Sequence, residues 1–247
     1  VAAVALLSGP AAAPAAAPLI VDLSSHRVAI TTGFSGTDLL LFGAVDPPGP
    51  EREDEPAYDL VVVVRGPAQP EILRRKERRG GFWVNAGEAV APDAPSYYHV
   101  VSTRPLELVA PPALLDRLGI GVGRLALRIE SDDPARAALD RAALVRLKQA
   151  RGLYAETNGA IGMLSRRLFR TDLHLPADVA VGDYRVEVAL FANRRLIRRS
   201  STPLVVERVG MGAAIHDFAR EHALAYGLIA VGVAGLAGWL AATVLRR

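Results

Sequence analysis

Two patterns divide the chain. Through most of its length, apolar residues come in short alternating or unbroken runs bounded by Gly, Pro, Asn and Asp, the mark of strands. From Ala223 to Leu245 no position carries a charge. The strand-like part opens with Leu19–Leu23 and Arg27–Thr32, followed by a turn at Gly33–Thr37. Leu39–Val45 and Leu60–Val64 are mostly continuous apolar runs, expected for strands buried on both faces. Asp46–Pro56, rich in Pro and acid, predicts a loop. Glu71–Arg78 alternates, Gly80-Gly81 breaks it, and Phe82–Asn85 follows. Tyr97–Ser102 predicts another strand, Pro111–Leu118 one or two helical turns, and Leu125–Ile129 a strand. Asp133-Pro134 suits a helix start. The spacing predicts a helix to about Leu164, with Leu139, Ala143, Leu147, Tyr154 and Ile161 near one stripe. Gly152, Gly159 and Gly162 weaken its second half and allow a break there.

The chain then returns to strands at Leu168–Leu175, Tyr184–Leu190 and Leu204–Val206. Asn193-Arg194 suits a two-residue hairpin turn. Between the first two of these strands lies Pro176–Gly182, followed by Asp183-Tyr184-Arg185-Val186. A Tyr at the start of a strand after such a corner resembles the tyrosine corner of immunoglobulin-like sandwiches, where it bonds back to the backbone. The predicted class is therefore mainly β: an immunoglobulin-like β-sandwich ectodomain with an inserted α-helical segment at about 134–165, plus one C-terminal transmembrane helix. At about 1.5 Å per residue the charge-free run reaches roughly 34 Å, enough for a hydrocarbon core of about 30 Å.

The first residues change the picture of where the domain sits. Val1 to Pro18 is apolar and then Ala/Pro-rich, as in the tail of a secretory signal peptide, and Ala13-Pro14-Ala15 fits a small-x-small cleavage site. The expected organisation is a signal-peptide remnant at 1–15, a periplasmic β-rich domain at 16–209, a juxtamembrane helix at 210–222, a transmembrane helix at 223–245 and a cytoplasmic tail at 246–247. Arg246 and Arg247 agree with the positive-inside rule, although Arg220 on the other flank reduces the contrast. The chain of 247 residues has no cysteine, which excludes disulfides, thiol catalysis and thiolate metal sites.

Net charge is only +3, but the cations cluster. Arg74, Arg75, Lys76, Arg78 and Arg79 form one group. Arg194, Arg195, Arg198 and Arg199 ring the predicted hairpin, and Arg166, Arg167 and Arg170 make a third. The first two are candidate partner-binding surfaces, for acidic proteins or lipid headgroups; a solvated face that discourages edge pairing is the competing reading. Nucleic acid is not expected outside the cytoplasm. Trp83 beside the first cluster allows an anion- or glycan-binding module as the alternative function. Ala230, Ala234, Gly238 and Ala242 recur every fourth residue, a candidate packing face for a second transmembrane helix. His26, His99, His174, His216 and His222 form no metal-ligand spacing. Ser24-Ser25 before His26 suits a turn cap, and Gly119-x-Gly121-x-Gly123 a connector. No catalytic, cofactor or metal residue is assigned.

Several stretches together resemble a family of alphaproteobacterial putative transmembrane proteins. They are Val21–His26, Ile30–Gly36 with Leu41-Phe-Gly43, Val61–Pro67, Arg75-Lys-Glu77 with Gly81–Asn85, Leu173–Pro176 through Gly182-Asp-Tyr184, and Ala225-Tyr-Gly227. The resemblance implies one span in a bacterial inner membrane, with the ectodomain periplasmic and the C-terminus cytoplasmic. It implies no activity. Relatives lie beside sulfite-exporter-type permeases, which implies a transport-linked setting. The expected function is a non-enzymatic interaction or accessory subunit of an inner-membrane complex, its partners being the bilayer and a membrane or periplasmic protein or a second copy.

Overall fold

The computed structural model describes residues 19–45, 58–79, 81–131, 134–209, 219–220 and 222–245; within these, the side chains of 77, 79, 83, 85, 86, 134 and 240–245 are excluded. The expected signal remnant, the 46–56 loop, the Asp133 cap and most of the juxtamembrane helix lie outside the described residues.

The chain is mainly β. Its strands are β1 Leu19–Leu23, β2 Arg27–Ile30, β3 Gly36–Val45, β4 Tyr58–Arg65, β5 Ala68–Arg79, β6 Phe82–Pro95 and β7 Tyr98–Ser102, then β8 Glu130–Ser131, β9 Tyr154–Asn158, β10 Gly162–Met163, β11 Leu168–Pro176, β12 Gly182–Ala192 and β13 Arg195–Arg208. The helices are α1 Leu106–Val109, α2 Pro112–Leu118, α3 Ala137–Ala150 and α4 Ala223–Leu245. One sheet has the order β1-β3-β11-β10, a second β2-β13-β12-β4-β7-β9, and a third β5-β6-β8. Pairings are antiparallel except β13 with β2 and β7 with β9.

The first two sheets share one hydrophobic cluster, which joins Leu39, Leu41, Phe169 and Leu173 to Val62, Val64, Val186 and Val188. The unbroken burial of Leu60 to Val64 has a direct cause. Alternate side chains point to opposite faces of a sheet, and both faces of β4 are covered. Val62 and Val64 pair with Val188 and Val186 toward the first sheet. Arg65 and Tyr98, paired on the other face, both bond the Gly119 carbonyl at the end of α2, so Val61 and Val63 lie under the α1–α2 segment with Leu106, Val109 and Leu115.

The corner forms as the sequence predicts. The Tyr184 hydroxyl donates to the Ala180 carbonyl at 2.7 Å, and Val186 is fully buried two residues on. Asn193 and Arg194 take φ of 49° and 62°, the paired positive φ of a type I′ turn.

Three sequence expectations need correction. The helix expected to run to about Leu164 stops at Ala150. Gly152 adopts φ 68°, and the chain re-emerges as β9, because pairing with β7 outweighs weak helix propensity in a glycine-interrupted segment. The predicted stripe is also turned: Leu139 and Leu147 are 64% and 57% exposed, while Leu144 and Lys148 face inward. Leu125–Ile129 forms no strand; only Glu130–Ser131 pairs, with Val90 and Ala89.

α4 is helical over 23 residues, but its side chains are described only to Trp239, about 26 Å of rise. Among the described residues no helix is long and apolar enough to cross a membrane. The expected crossing at 223–245 therefore draws on the sequence beyond Trp239.

Candidate functional site

The histidines do not converge. His26 Nε2 meets Asp22 at 3.1 Å with both side chains about half exposed. Ser25 Oγ accepts from the Arg27 amide at 3.2 Å and caps the β1–β2 turn, as expected, whereas Ser24 Oγ accepts from the Leu40 amide at 3.1 Å and ties that turn to β3. His99 lies on β7, four strand positions from β2 in the six-stranded sheet, on the order of 19 Å away. Its Nδ1 is 3.2 Å from the Tyr97 hydroxyl and its Nε2 3.0 Å from Thr157 Oγ1. Burial, and then the nearby His174, hold its pKa below the usual histidine value. The Tyr97 hydroxyl donates to the His174 carbonyl, on β11 of the first sheet, at 2.5 Å. Tyr97 and Tyr98 are core residues, and the phenol of Tyr97 is pushed up chiefly by desolvation. Among the described residues no three His, Cys, Asp or Glu side chains group as a metal site.

The two basic clusters lie on different structures at opposite ends of the six-stranded sheet. The first rides on a ribbon. β4 and β7 pair up to Arg65 and Tyr98; then the Gly66 amide bonds the Tyr97 carbonyl and the Ser96 amide the Pro67 carbonyl, each at 2.8 Å. The ladder resumes at Ala68 opposite Pro95 and runs to Arg79 opposite Phe82, with register shifts between Gln69 and Glu71 and between Arg74 and Lys76. β4 and β5 are thus one arm, and β6 and β7 the other, of a hairpin that outruns its sheet. Gly66 sits at the root, where a Cβ would meet Ser96 Oγ at 2.4 Å; only glycine lets the arms close there.

The root is braced. Leu144 of α3 packs with Ala91 and Ala94, and the buried Lys148 Nζ meets Glu71 at 2.5 Å. Beyond the brace, Arg74, Lys76 and Arg78 are exposed, and Arg74 approaches Glu88 at 3.6 Å. Phe82 is 76% exposed. The backbone of Arg79 and Trp83 belongs to the ribbon, but their side chains lie outside the described residues. The cations and the break at Gly80-Gly81 are legible in the sequence but not the length of β6, because Glu88–Pro95 is too Ala/Pro-rich to read as a strand. Between ribbon and α3 runs a groove of about 470 Å³ lined by Ile72, Leu139, Leu147, Arg74, Arg136 and Arg146 among others.

The second cluster surrounds the β12–β13 turn. Arg194 donates to the Glu107 carbonyl at 3.0 Å. Arg199 reaches Glu187 at 2.5 Å, which also holds Arg65 at 3.1 Å. Arg195 and Arg198 are exposed, and their side chains have no hydrogen-bond or ion-pair partner among the described residues. On α4, a Cβ added at Gly238 would meet nothing within 4 Å; Ala230 and Ala234 lie on its exposed surface, and the side chain of Ala242 is outside the described residues.

These features define a β-rich module with charged hairpins at two ends and a charge-free helix after its last strand. The chain belongs to the family described as "Putative transmembrane protein (Alph_Pro_TM)", whose profile matches residues 18–247. No curated protein matches it.

Proposed function

We propose that the protein is a single-pass, non-enzymatic membrane protein whose immunoglobulin-like ectodomain docks an acidic protein partner at the bacterial inner membrane. The strand order supports the immunoglobulin-like reading. β1-β3-β11-β10 corresponds to strands A, B, E and D, and β13-β12-β4-β7 to G, F, C and C′. The first strand is shared between sheets as β1 and β2, and the tyrosine corner stands at the start of the F strand. The 23 uncharged residues of α4, read with the family description, support the span. The non-enzymatic reading rests on the surroundings of the candidate groups: His26 pairs with Asp22 at the surface and His99 is bonded inside the core.

The observation that carries the docking claim is the β12–β13 turn. It is the F–G loop, one of the loops with which immunoglobulin variable domains bind. It lies at the end of the six-stranded sheet opposite the one where β13 leaves, and it exposes Arg195 and Arg198 uncompensated beside Arg194. A cation pair at the start of β13, just after a type I′ turn, suits carboxylates presented by a protein surface.

The test is crosslinking of the full-length chain in its own membranes, followed by identification of what is captured. Charge reversal at Arg194, Arg195 and Arg198 together should reduce capture of the main partner more than tenfold, and raised salt should do the same. Unchanged capture by the reversed chain would contradict the assignment of this surface. Placement in a transport-linked complex would follow if the captured partner is a permease.

A further inference from the structure

We propose that the tip of the β5–β6 ribbon docks onto anionic lipid headgroups of the bilayer that α4 enters, giving the ectodomain a second membrane contact. The inference rests on the single-pass reading above.

Direction is the first ground. β4 runs antiparallel to β12, and β12 antiparallel to β13, so β4 and β13 run the same way. Arg65 lies opposite Arg185, which in turn lies opposite Pro203. Both strands therefore leave the sheet at one end, β13 toward α4 and β4 into the ribbon. The unbroken pairing through Gly66 and Ser96 carries the ribbon onward past that end.

Reach is the second. β5 has 12 residues, at most about 40 Å at the strand rise, less what the two register shifts of the ribbon take up in bending. The connection from 209 to 222 spans at most about 48 Å when fully extended. The tip can therefore reach the plane where α4 begins.

Chemistry is the third. Past the brace of α3 the ribbon carries Arg74, Arg75, Lys76, Arg78 and Arg79, and its tip exposes Phe82 at 76% and Val84 at 39%. Cations that attract anionic headgroups, together with an aromatic that partitions into the interface, are the two components of surface attachment. A site built only for a soluble anion has no use for the exposed Phe82. A protein-docking surface would expose it too, and that occupant is an outcome of the test.

The chain has two tryptophans, Trp83 at the tip and Trp239 in α4. Full-length protein carrying Trp239→Phe therefore reports on the tip, and protein carrying Trp83→Phe on α4. Each is reconstituted into phosphatidylcholine vesicles with and without phosphatidylglycerol, using brominated lipids as quenchers. The expected result is quenching of Trp83 that is at least twofold stronger with phosphatidylglycerol. It should fall to the neutral-lipid level in about 0.5 M salt or on Arg74→Glu, Lys76→Glu and Arg78→Glu together. Each cation near the surface contributes about fivefold to association. Trp239 should be quenched equally in both lipids. The salt arm needs no substitution, so a misfolded variant cannot hide the answer. Trp83 unquenched while Trp239 is quenched overturns the lipid contact, leaves the anchor standing and assigns the tip to a protein. Equal Trp83 quenching in both lipids overturns the role of the cations. An unquenched Trp239 removes the anchor and the proposal with it.

Discussion

Tyr184 shows how one side chain fixes a turn in space. Its ring is buried, its hydroxyl is held by the Ala180 carbonyl, and burial pushes its phenol up to about 12. Tyr184→Phe removes one buried hydrogen bond and should cost about 1 kcal/mol, read as a lower urea midpoint with an unchanged slope. His99 makes stability depend on pH. Its folded pKa lies below the unfolded value of 6.5, so the unfolded chain binds more protons between the two values. The contribution of His99 is therefore complete above about pH 6.5 and is lost as pH falls toward the folded value. His99→Gln should flatten the decline in unfolding midpoint between pH 7.5 and pH 5 relative to the parent chain; an unchanged decline would mean that His99 does not titrate in this window. Gly43 is set by contact: a Cβ there would meet the Ile20 carbonyl at 2.4 Å and the Phe169 ring at 2.6 Å. Gly43→Ala should therefore part β1 from β3 and destabilise the chain by about 1–3 kcal/mol, visible as a lowered Tm.

Elements were legible in the sequence where local pattern and tertiary need agreed. The alternation from Tyr184 to Leu190, the Asn193-Arg194 turn and the apolar block at Leu60–Val64 all carry their structure locally. α3 was half legible. Its presence could be read, but neither its end at Ala150 nor its buried face, which contains Lys148. A lysine normally marks a solvent side; here it is 3% exposed, against Glu71 and over the Tyr154 ring at 6.0 Å. No periodicity rule foresees a buried ion pair between segments so far apart in sequence. β9 was misread for a similar reason, since its partner β7 lies about fifty residues earlier. Lys148→Met tests the brace. It leaves Glu71 with the Gln69 side-chain amide as donor at 3.0 Å and 23% exposed, so the loss should be about 1–2 kcal/mol, less than for a fully buried orphan charge. Proteolysis near the β5–β6 tip should accelerate if the brace holds the ribbon against α3, and unchanged cleavage would show that the ribbon stands without it.

At the scale of the molecule, the topology separates what the sequence could only pool. Two basic clusters that read as one kind of surface lie at opposite ends, one past the exit toward α4 and one at the far turn. The proposed division of labour, a membrane-facing ribbon and a partner-facing turn, requires that the chain cross the bilayer at α4, with the β-rich domain outside and Arg247 inside. The absence of cysteine makes that claim directly measurable. Ser201→Cys places a thiol on the exposed face of β13, and Arg247→Cys places one at the last residue. Each full-length variant is expressed in bacteria, and spheroplasts are treated with a membrane-impermeant maleimide before and after lysis. The account predicts that the thiol at position 201 is labelled in intact spheroplasts and the one at 247 only after lysis. Equal labelling of both before lysis, or protection of position 201, would contradict it.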